Sequence, residues 1–369
     1  MHNKKKILIT LPSLIDPGGV ASFYNSLLPH LNNAKYSIAT LEIGSTKGRN
    51  NPLYPFTDQI RFRRFLKNFR PDLVHINPSL DFKSFIRDGL FIYQAKQKKL
   101  PVVVFFRGWL TSFEPVLYKR FFCFFRSTYG KADTFIVLAK EFKKTLQQWG
   151  INQPIHIGTT TVDKSLLDNF SFEKKLINLR KVKTIRILFL ARLEREKGIF
   201  ETIDAFSLLL KKGLPVTLSI AGDGAILSEL KNYITAKGFA EDQLQFLGYV
   251  RGDDKIHAYV KNDIYCFPTY YGEGLPNSVL EAMAFGLPVI TRSVAGLADL
   301  FIDGEMGFLC QGKTPKEIAN NIEKLITNRS LMVKMSEYNH VFAKEHFMAP
   351  VVAKNLTDIY STTLGSTKI

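Results

Sequence analysis

Short runs of β-branched and aromatic residues alternate along this chain with stretches whose apolar residues recur every three or four positions. Ile7–Leu11 reads as a strand, Gly18-Gly19-Val20 opens a helix over Ala21–Leu31, and Ser37–Ile43 reads as a second strand. In residues 58–70, Phe62, Phe65, Leu66 and Phe69 fall at i, i+3, i+4 and i+7. Arg61, Arg63, Arg64, Lys67 and Arg70 take the other face, and Pro71 ends the helix. Leu73–Ile76, Val102–Phe106, Thr134–Leu138 and Ile155–Ile157 follow as further strands. Apolar strands separated by helices predict a parallel sheet covered on both faces.

The polar, Lys-rich stretch 163–183 shows little periodicity and reads as a linker. The alternation then restarts, with predicted strands at Ile185–Leu190, Val216–Ala221, Leu244–Leu247, Ile264–Pro268 and Val289–Thr291. Helices are predicted over Gly198–Lys211, up to Lys237, from about Asp253 to Lys261, and over Asn277–Phe285, which Gly286 closes. The expectation is an α/β chain of two doubly wound domains, 1–170 and 181–349, with a ligand cleft between them at the carboxyl ends of both sheets.

Charge sharpens this division. Residues 1–180 hold 28 Lys+Arg against 12 Asp+Glu, a net of +16, whereas the whole chain carries +17. The first half should therefore meet something anionic: nucleic acid, phospholipid or an acidic substrate. Cys123, Cys266 and Cys310 are too few and too scattered for a disulfide framework or a zinc finger, which points to a reducing cytoplasm. No apolar run approaches the ~18 residues of a membrane-spanning helix. Lys4-Lys5-Lys6 before Ile7–Leu11 looks like a signal peptide, but the apolar run breaks at Pro12 and Asp16, so it reads as a buried strand.

Three segments carry chemistry. Tyr271-Gly272-Glu273-Gly274-Leu275-Pro276-Asn277-Ser278-Val279-Leu280-Glu281 follows a strand and opens a helix. Pro276 presets the helix entry, Asn277 or Ser278 can cap it, and its N-terminus suits a phosphate. Glu273 and Glu281 can accept vicinal sugar hydroxyls from one cleft. Arg192 and Lys197, after the strand Ile185–Leu190, suit a diphosphate. Pro17-Gly18-Gly19-Val20 lets backbone approach a ligand. Neither this loop nor Gly222-Asp223-Gly224 completes GxGxxG, so the dinucleotide fingerprint is missing. Asp-x-Asp, His/Cys clusters of ligand spacing, GxSxG and Walker motifs are also lacking, and no metal site is expected.

In this order and spacing the segments resemble a GT-B glycosyltransferase of the large retaining family 4 type, over nearly the whole chain and most strongly over 185–310. Glu273…Glu281 matches that family's Glu-x7-Glu signature, Arg192 and Lys197 its Arg…Lys pair, and Gly18-Gly19 its glycine loop. The resemblance implies a metal-independent hexosyl transfer from a nucleotide-diphosphate sugar to a sugar or lipid-linked hydroxyl acceptor, in polysaccharide or glycolipid synthesis. Arg192 and Lys197 would hold the diphosphate, Glu281 the ribose and Glu273 the transferred sugar. The backbone of Gly274, Leu275, Pro276, Asn277 and Ser278 would cradle sugar and phosphate, with Val250 near the base. The first domain would bind the acceptor, and a last helix within 350–369 would cross back onto it.

Many relatives have His-Gly where this chain has Arg107-Gly108, so a permanent cation stands in place of an imidazole. Arg107 could contact a phosphate of donor or acceptor, or a structural carbonyl. His75, at a strand end, reads either as a core histidine or as an acceptor-side group. Two basic-aromatic stretches, 61–70 and 118–126, read either as solvated faces or as docking points for an anionic membrane. Two other functions remain at this level. A nucleotide-sugar epimerase should pair acids and histidines at the sugar. A basic nucleic-acid-binding protein should show a recognised motif, and none is visible, so no nucleic-acid partner is expected.

Overall fold

The computed structural model describes residues 4–15, 18–33, 35–44, 54–272 and 274–366. They form two compact units. One comprises the described residues of Met1–Thr161, Gly272–Leu275 and Ala349–Ile369; the other comprises Val162–Tyr271 and Pro276–Met348.

The first unit is built on six parallel strands: β1 Lys5–Leu11, β2 Tyr36–Glu42, β3 Leu73–Ile76, β4 Val102–Phe105, β5 Thr134–Val137 and β6 Ile155–Ile157. Their order is β2-β1-β3-β4-β5-β6. β3, β4 and β5 are buried along their whole length, as strands covered on both faces must be. The helices Gly19–Leu31 and Ala349–Ser366 share one core with this sheet, through Phe23, Tyr24 and Leu27 on the former and Val352, Leu356 and Tyr360 on the latter.

The second unit repeats the design with β7 Ile185–Leu190, β8 Val216–Ala221, β9 Leu244–Gly248, β10 Ile264–Phe267, β11 Val289–Arg292 and β12 Gly307–Cys310, in the order β9-β8-β7-β10-β11-β12. In each sheet the strand order reverses beside the first strand, between β1 and β3 and between β7 and β10. Successive crossovers there leave on opposite faces and open a crevice at the carboxyl ends.

Two expectations need correction. The stretch 163–183 is not an unstructured linker. It holds a 3-10 turn, Lys164–Leu167, and the helix Phe172–Lys181, capped by Ser171. Its amphipathic pattern is hidden because one inward position is Lys175, buried with Nζ 2.9 Å from Val260 O and 3.8 Å from Asp263 Oδ1. Burial brings this ammonium down to a pKa of about 8.

The basic helix begins earlier than its periodicity predicts, at Tyr54, and runs to Phe69. It buries Phe62 and Leu66, and Phe62 lies 4.5 Å from Phe91 on the helix Phe82–Gln97. Arg61 is tied down, donating to Glu42 O at 2.9 Å and Asp58 Oδ1 at 3.0 Å, so the basic face is only partly free. Residues 118–126 form successive helical turns in which Phe125 is buried and Tyr118, Lys119, Arg120 and Arg126 are exposed.

The three cysteines are free thiols. No described helix is long and apolar enough to cross a membrane.

Candidate active site

β7 and β10 are neighbours in the second sheet, with Ile187 opposite Ile264 and Leu188 opposite Tyr265. The segments that leave their carboxyl ends are therefore side by side. The 191–198 segment is pinned from two directions. On one side Leu193 N donates to Asp223 O at 2.9 Å. A Cβ on Gly224 would lie 2.3 Å from Leu193 O, and one on Gly222 would lie 1.9 Å from Ala191 O. The Gly-Asp-Gly turn thus underlies this segment, and only glycine allows the approach. On the other side Glu196 O accepts from Tyr270 N at 2.9 Å and Thr269 Oγ1 at 3.2 Å.

Gly198 ends the segment in the left-handed region at φ 81°, with Pro268 O 2.5 Å from where a Cβ would be. This turn fixes Lys197, which is 9% exposed and holds its Nζ 4.2 Å from the Tyr271 ring centroid. Arg192 is placed differently: its side chain is 68% exposed, and Nη1 pairs with Glu194 Oε1 at 3.2 Å. One cation is preset and the other is exposed in a surface ion pair.

After β10 the chain enters the helix Asn277–Ala284. Asn277 and Ser278 are its first two residues rather than its cap. Pro276 holds the cap position at φ −70°, ψ 122°. Leu275 and Pro276 are buried, while Gly274, Asn277 and Ser278 are half-buried. Glu281, 5% exposed, accepts from Lys255 Nζ at 2.6 Å on Oε1 and from Tyr259 Oη at 2.8 Å on Oε2. Burial, and then the Glu281 charge, hold the Tyr259 hydroxyl well above its usual pKa, so it stays a donor. Each carboxylate oxygen keeps a second lone pair for a ligand hydroxyl.

Lys255 and Tyr259 were not singled out in the sequence. Their i, i+4 spacing on the helix Gly252–Lys261 is the signal that could have found them. Val250 lies half-buried just beyond β9. Glu273 lies outside the described residues.

In the first unit Gly18 holds the cap position of the helix Gly19–Leu31. His75 is completely buried at the end of β3. Nδ1 is 2.5 Å from Tyr360 Oη, and Nε2 is 3.5 Å from Tyr24 Oη. Burial, reinforced by the Arg107 charge, lowers its pKa to about 3, so the ring is neutral. Tyr24 Oη donates to Asn77 Oδ1 at 2.6 Å, and Asn77 Nδ2 donates to Thr10 O at 2.8 Å. Arg107, just beyond β4, sets its guanidinium carbon 3.8 Å from the Phe23 centroid and 4.6 Å from that of Phe105.

Family comparison reads both halves of this architecture. Residues 20–166 match glycosyltransferase family 4, and residues 171–341 match glycosyl transferases group 1. The chain belongs to the family 4 type of glycosyltransferases. It is 30% identical over 231 residues to the capsular polysaccharide biosynthesis glycosyltransferase CapM of Staphylococcus aureus, covering 62% of this chain and 57% of that protein. It is also 30% identical over 224 residues to an uncharacterized glycosyltransferase, MJ1069, of Methanocaldococcus jannaschii, covering 59% and 56%. The match thus spans little more than half the length of these relatives.

Among solved structures, HepE of Anabaena in complex with UDP and glucose aligns over 97% of this chain and 99% of its own, at TM-score 0.72 and 16% identity. A Rickettsia africae glycosyltransferase aligns over 98% and 99%, at TM-score 0.75 and 18% identity. These likenesses establish the GT-B fold. Within this family 4 member, the Arg192/Lys197 segment and the Glu281 helix occupy the carboxyl ends of two adjacent strands of the group 1 half.

Proposed function

We propose that this chain is a retaining glycosyltransferase that moves a hexose from a nucleotide-diphosphate sugar to a hydroxyl of a sugar or lipid-linked acceptor, in polysaccharide or glycolipid assembly. The observation that carries the reading is the pairing of β7 with β10. It sets the fixed Lys197 and the start of the Asn277–Ala284 helix on neighbouring strand ends. A helix N-terminus of roughly +0.5 charge and a preset ammonium are what a departing diphosphate needs, with Arg192 moving from its exposed Glu194 pair to close over it.

Glu281 takes the ribose hydroxyls, Glu273 the transferred sugar, and the Gly274–Ser278 backbone the sugar and phosphate, with Val250 beside the base. Gly18 and Gly19 admit the donor on the first unit, which also takes the acceptor near His75 and Arg107. The bond from the sugar's anomeric carbon to the diphosphate breaks, and the acceptor oxygen bonds to the same face. The acceptor proton passes to the departing phosphate, so no covalent nucleophile is required. Because protein cations neutralise the leaving group, no metal is assigned to the reaction.

A panel of nucleotide sugars tests this by melting temperature and by transfer to a hydroxyl acceptor in EDTA. At least one donor should stabilise the protein and yield a product that keeps the donor's anomeric configuration. Lys197→Ala should lower kcat/KM at least tenfold, the worth of a hydrogen bond to a charged group at about 1.5–3 kcal/mol. Inversion of configuration or a strict divalent-metal requirement would overturn the mechanism.

For the first unit we propose an anionic membrane as the docking partner. A groove of about 560 Å³ is lined by Arg63, Arg64, Lys67 and Lys98 together with Tyr93, and among the described residues no carboxylate borders it. Phe56 and Ile60 are exposed on the same basic helix, and Tyr118 on the second stretch.

A further inference from the structure

Arg107 is a buried cation whose charge no described residue answers. Its side chain is 9% exposed, and Nε and Nη1 have no hydrogen-bond partner. No ion pair reaches it among the described residues. The groups around it cannot supply a negative charge. Tyr24 is held protonated by burial, His75 is neutral, and Asn77 is an amide already committed to Tyr24 and to Thr10 O. A structural carbonyl, one of the roles open to this arginine from sequence alone, is not bonded to either sealed nitrogen.

The perpendicular rings of Phe23 and Phe105 hold the guanidinium and offset part of its desolvation, but they leave the N–H groups of Nε and Nη1 unused. Thr10 Oγ1, fully buried at the end of β1 and linked to this group through its own carbonyl, also lacks a partner. Buried donors without acceptors are costly, and a guanidinium more than most. Such a set is stable in function when a ligand supplies the missing charge, and planar N–H pairs match an oxyanion bidentately.

We propose that Arg107 is the receptor for an oxyanion, a carboxylate or a phosphate, on a small ligand bound by the first unit. Phe23 and Phe105 preset its guanidinium, and the Thr10 hydroxyl is the accessory donor. This inference concerns the first unit alone and does not rest on the donor assignment.

Melting of the full chain tests it at fixed ionic strength, so that general screening of a +17 chain is constant. The probes are inorganic phosphate, glucose 6-phosphate and glucuronate, with glucose as neutral control and UDP as a separate arm. Wild type should rise by about 2 °C or more with a saturating phosphate or carboxylate probe, and not with glucose. The probe that acts identifies the source of the oxyanion. Arg107→Met should lose that rise and, without ligand, melt no lower than wild type, because an unanswered buried charge has been replaced by an apolar chain. Arg107→Lys should keep a reduced response.

Equal anion shifts in wild type and Arg107→Met would overturn the proposal. So would the absence of any anion shift in wild type. UDP should stabilise wild type and Arg107→Met alike. A missing UDP shift therefore counts against the donor reading and leaves the oxyanion result to stand by itself.

Discussion

Glu281 meets any ligand already held by two donors, Lys255 and Tyr259. The carboxylate is thereby oriented. In Glu281→Gln one of those oxygens becomes an NH2 group and the partner of Lys255 is neutralised. Calorimetry with the bare nucleoside diphosphate should show at least a tenfold rise in Kd, the loss of one charged hydrogen bond at about 1.5–3 kcal/mol. A Kd within twofold of wild type removes Glu281 from the ribose.

His75 makes a different prediction at the same scale. Its folded pKa of about 3 lies below the unfolded value of 6.5. Between these values the unfolded chain binds more protons, so stability falls as pH drops below 6.5 and is unaffected above it. From pH 8 to pH 5 this one ring should cost on the order of 2 kcal/mol. Urea unfolding should show wild type losing more stability over that interval than His75→Gln. Parallel losses in the two proteins would mean that the ring titrates normally in the folded state.

At the scale of elements, the short loops decide where the chemistry sits. Gly198 joins the 191–198 segment to the helix Ile199–Lys211 with φ 81° and touches the backbone of Pro268. Gly213 has a similar φ of 70° but nothing within 4 Å of its absent Cβ. Gly213→Ala should therefore cost only the backbone term of about 1 kcal/mol, whereas Gly198→Ala should cost clearly more and displace Lys197. Denaturant midpoints and the KM for the donor check both halves: the first variant should keep its KM and the second should raise it. Equal destabilisation with unchanged KM would show that the close approach to Pro268 has no bearing on Lys197.

For the whole molecule the governing quantity is the charge difference between the halves, +16 over residues 1–180 and +1 over the rest. Cations near an anionic surface contribute about 1 kcal/mol each, within a Debye length. Sedimentation with vesicles should show binding that rises with anionic lipid and falls with salt. It should weaken when Arg63, Arg64 and Lys67 become glutamine. Arg61→Gln should matter less, since Arg61 is already paired with Asp58 and Glu42 O. Equal recovery with neutral and anionic vesicles at low salt would remove the membrane from the account.

The sequence by itself determined the two α/β halves. β-branched and apolar runs buried on both faces can only be strands of a covered parallel sheet, and that signal is local. It also determined which loops carry glycine, cation and carboxylate, because those residue types are needed wherever backbone meets a ligand. Tertiary structure alone decided what each candidate is bonded to. Lys175 lies inside a helix that reads as a linker because its partners, Val260 O and Asp263, are more than eighty residues away. The Glu281 clamp, the enclosure of His75 by Tyr24 and Tyr360, and the unanswered charge of Arg107 likewise join residues distant in sequence. Periodicity reports which face of an element is apolar. Only packing brings a particular donor within 3 Å of a particular acceptor, or leaves it without one.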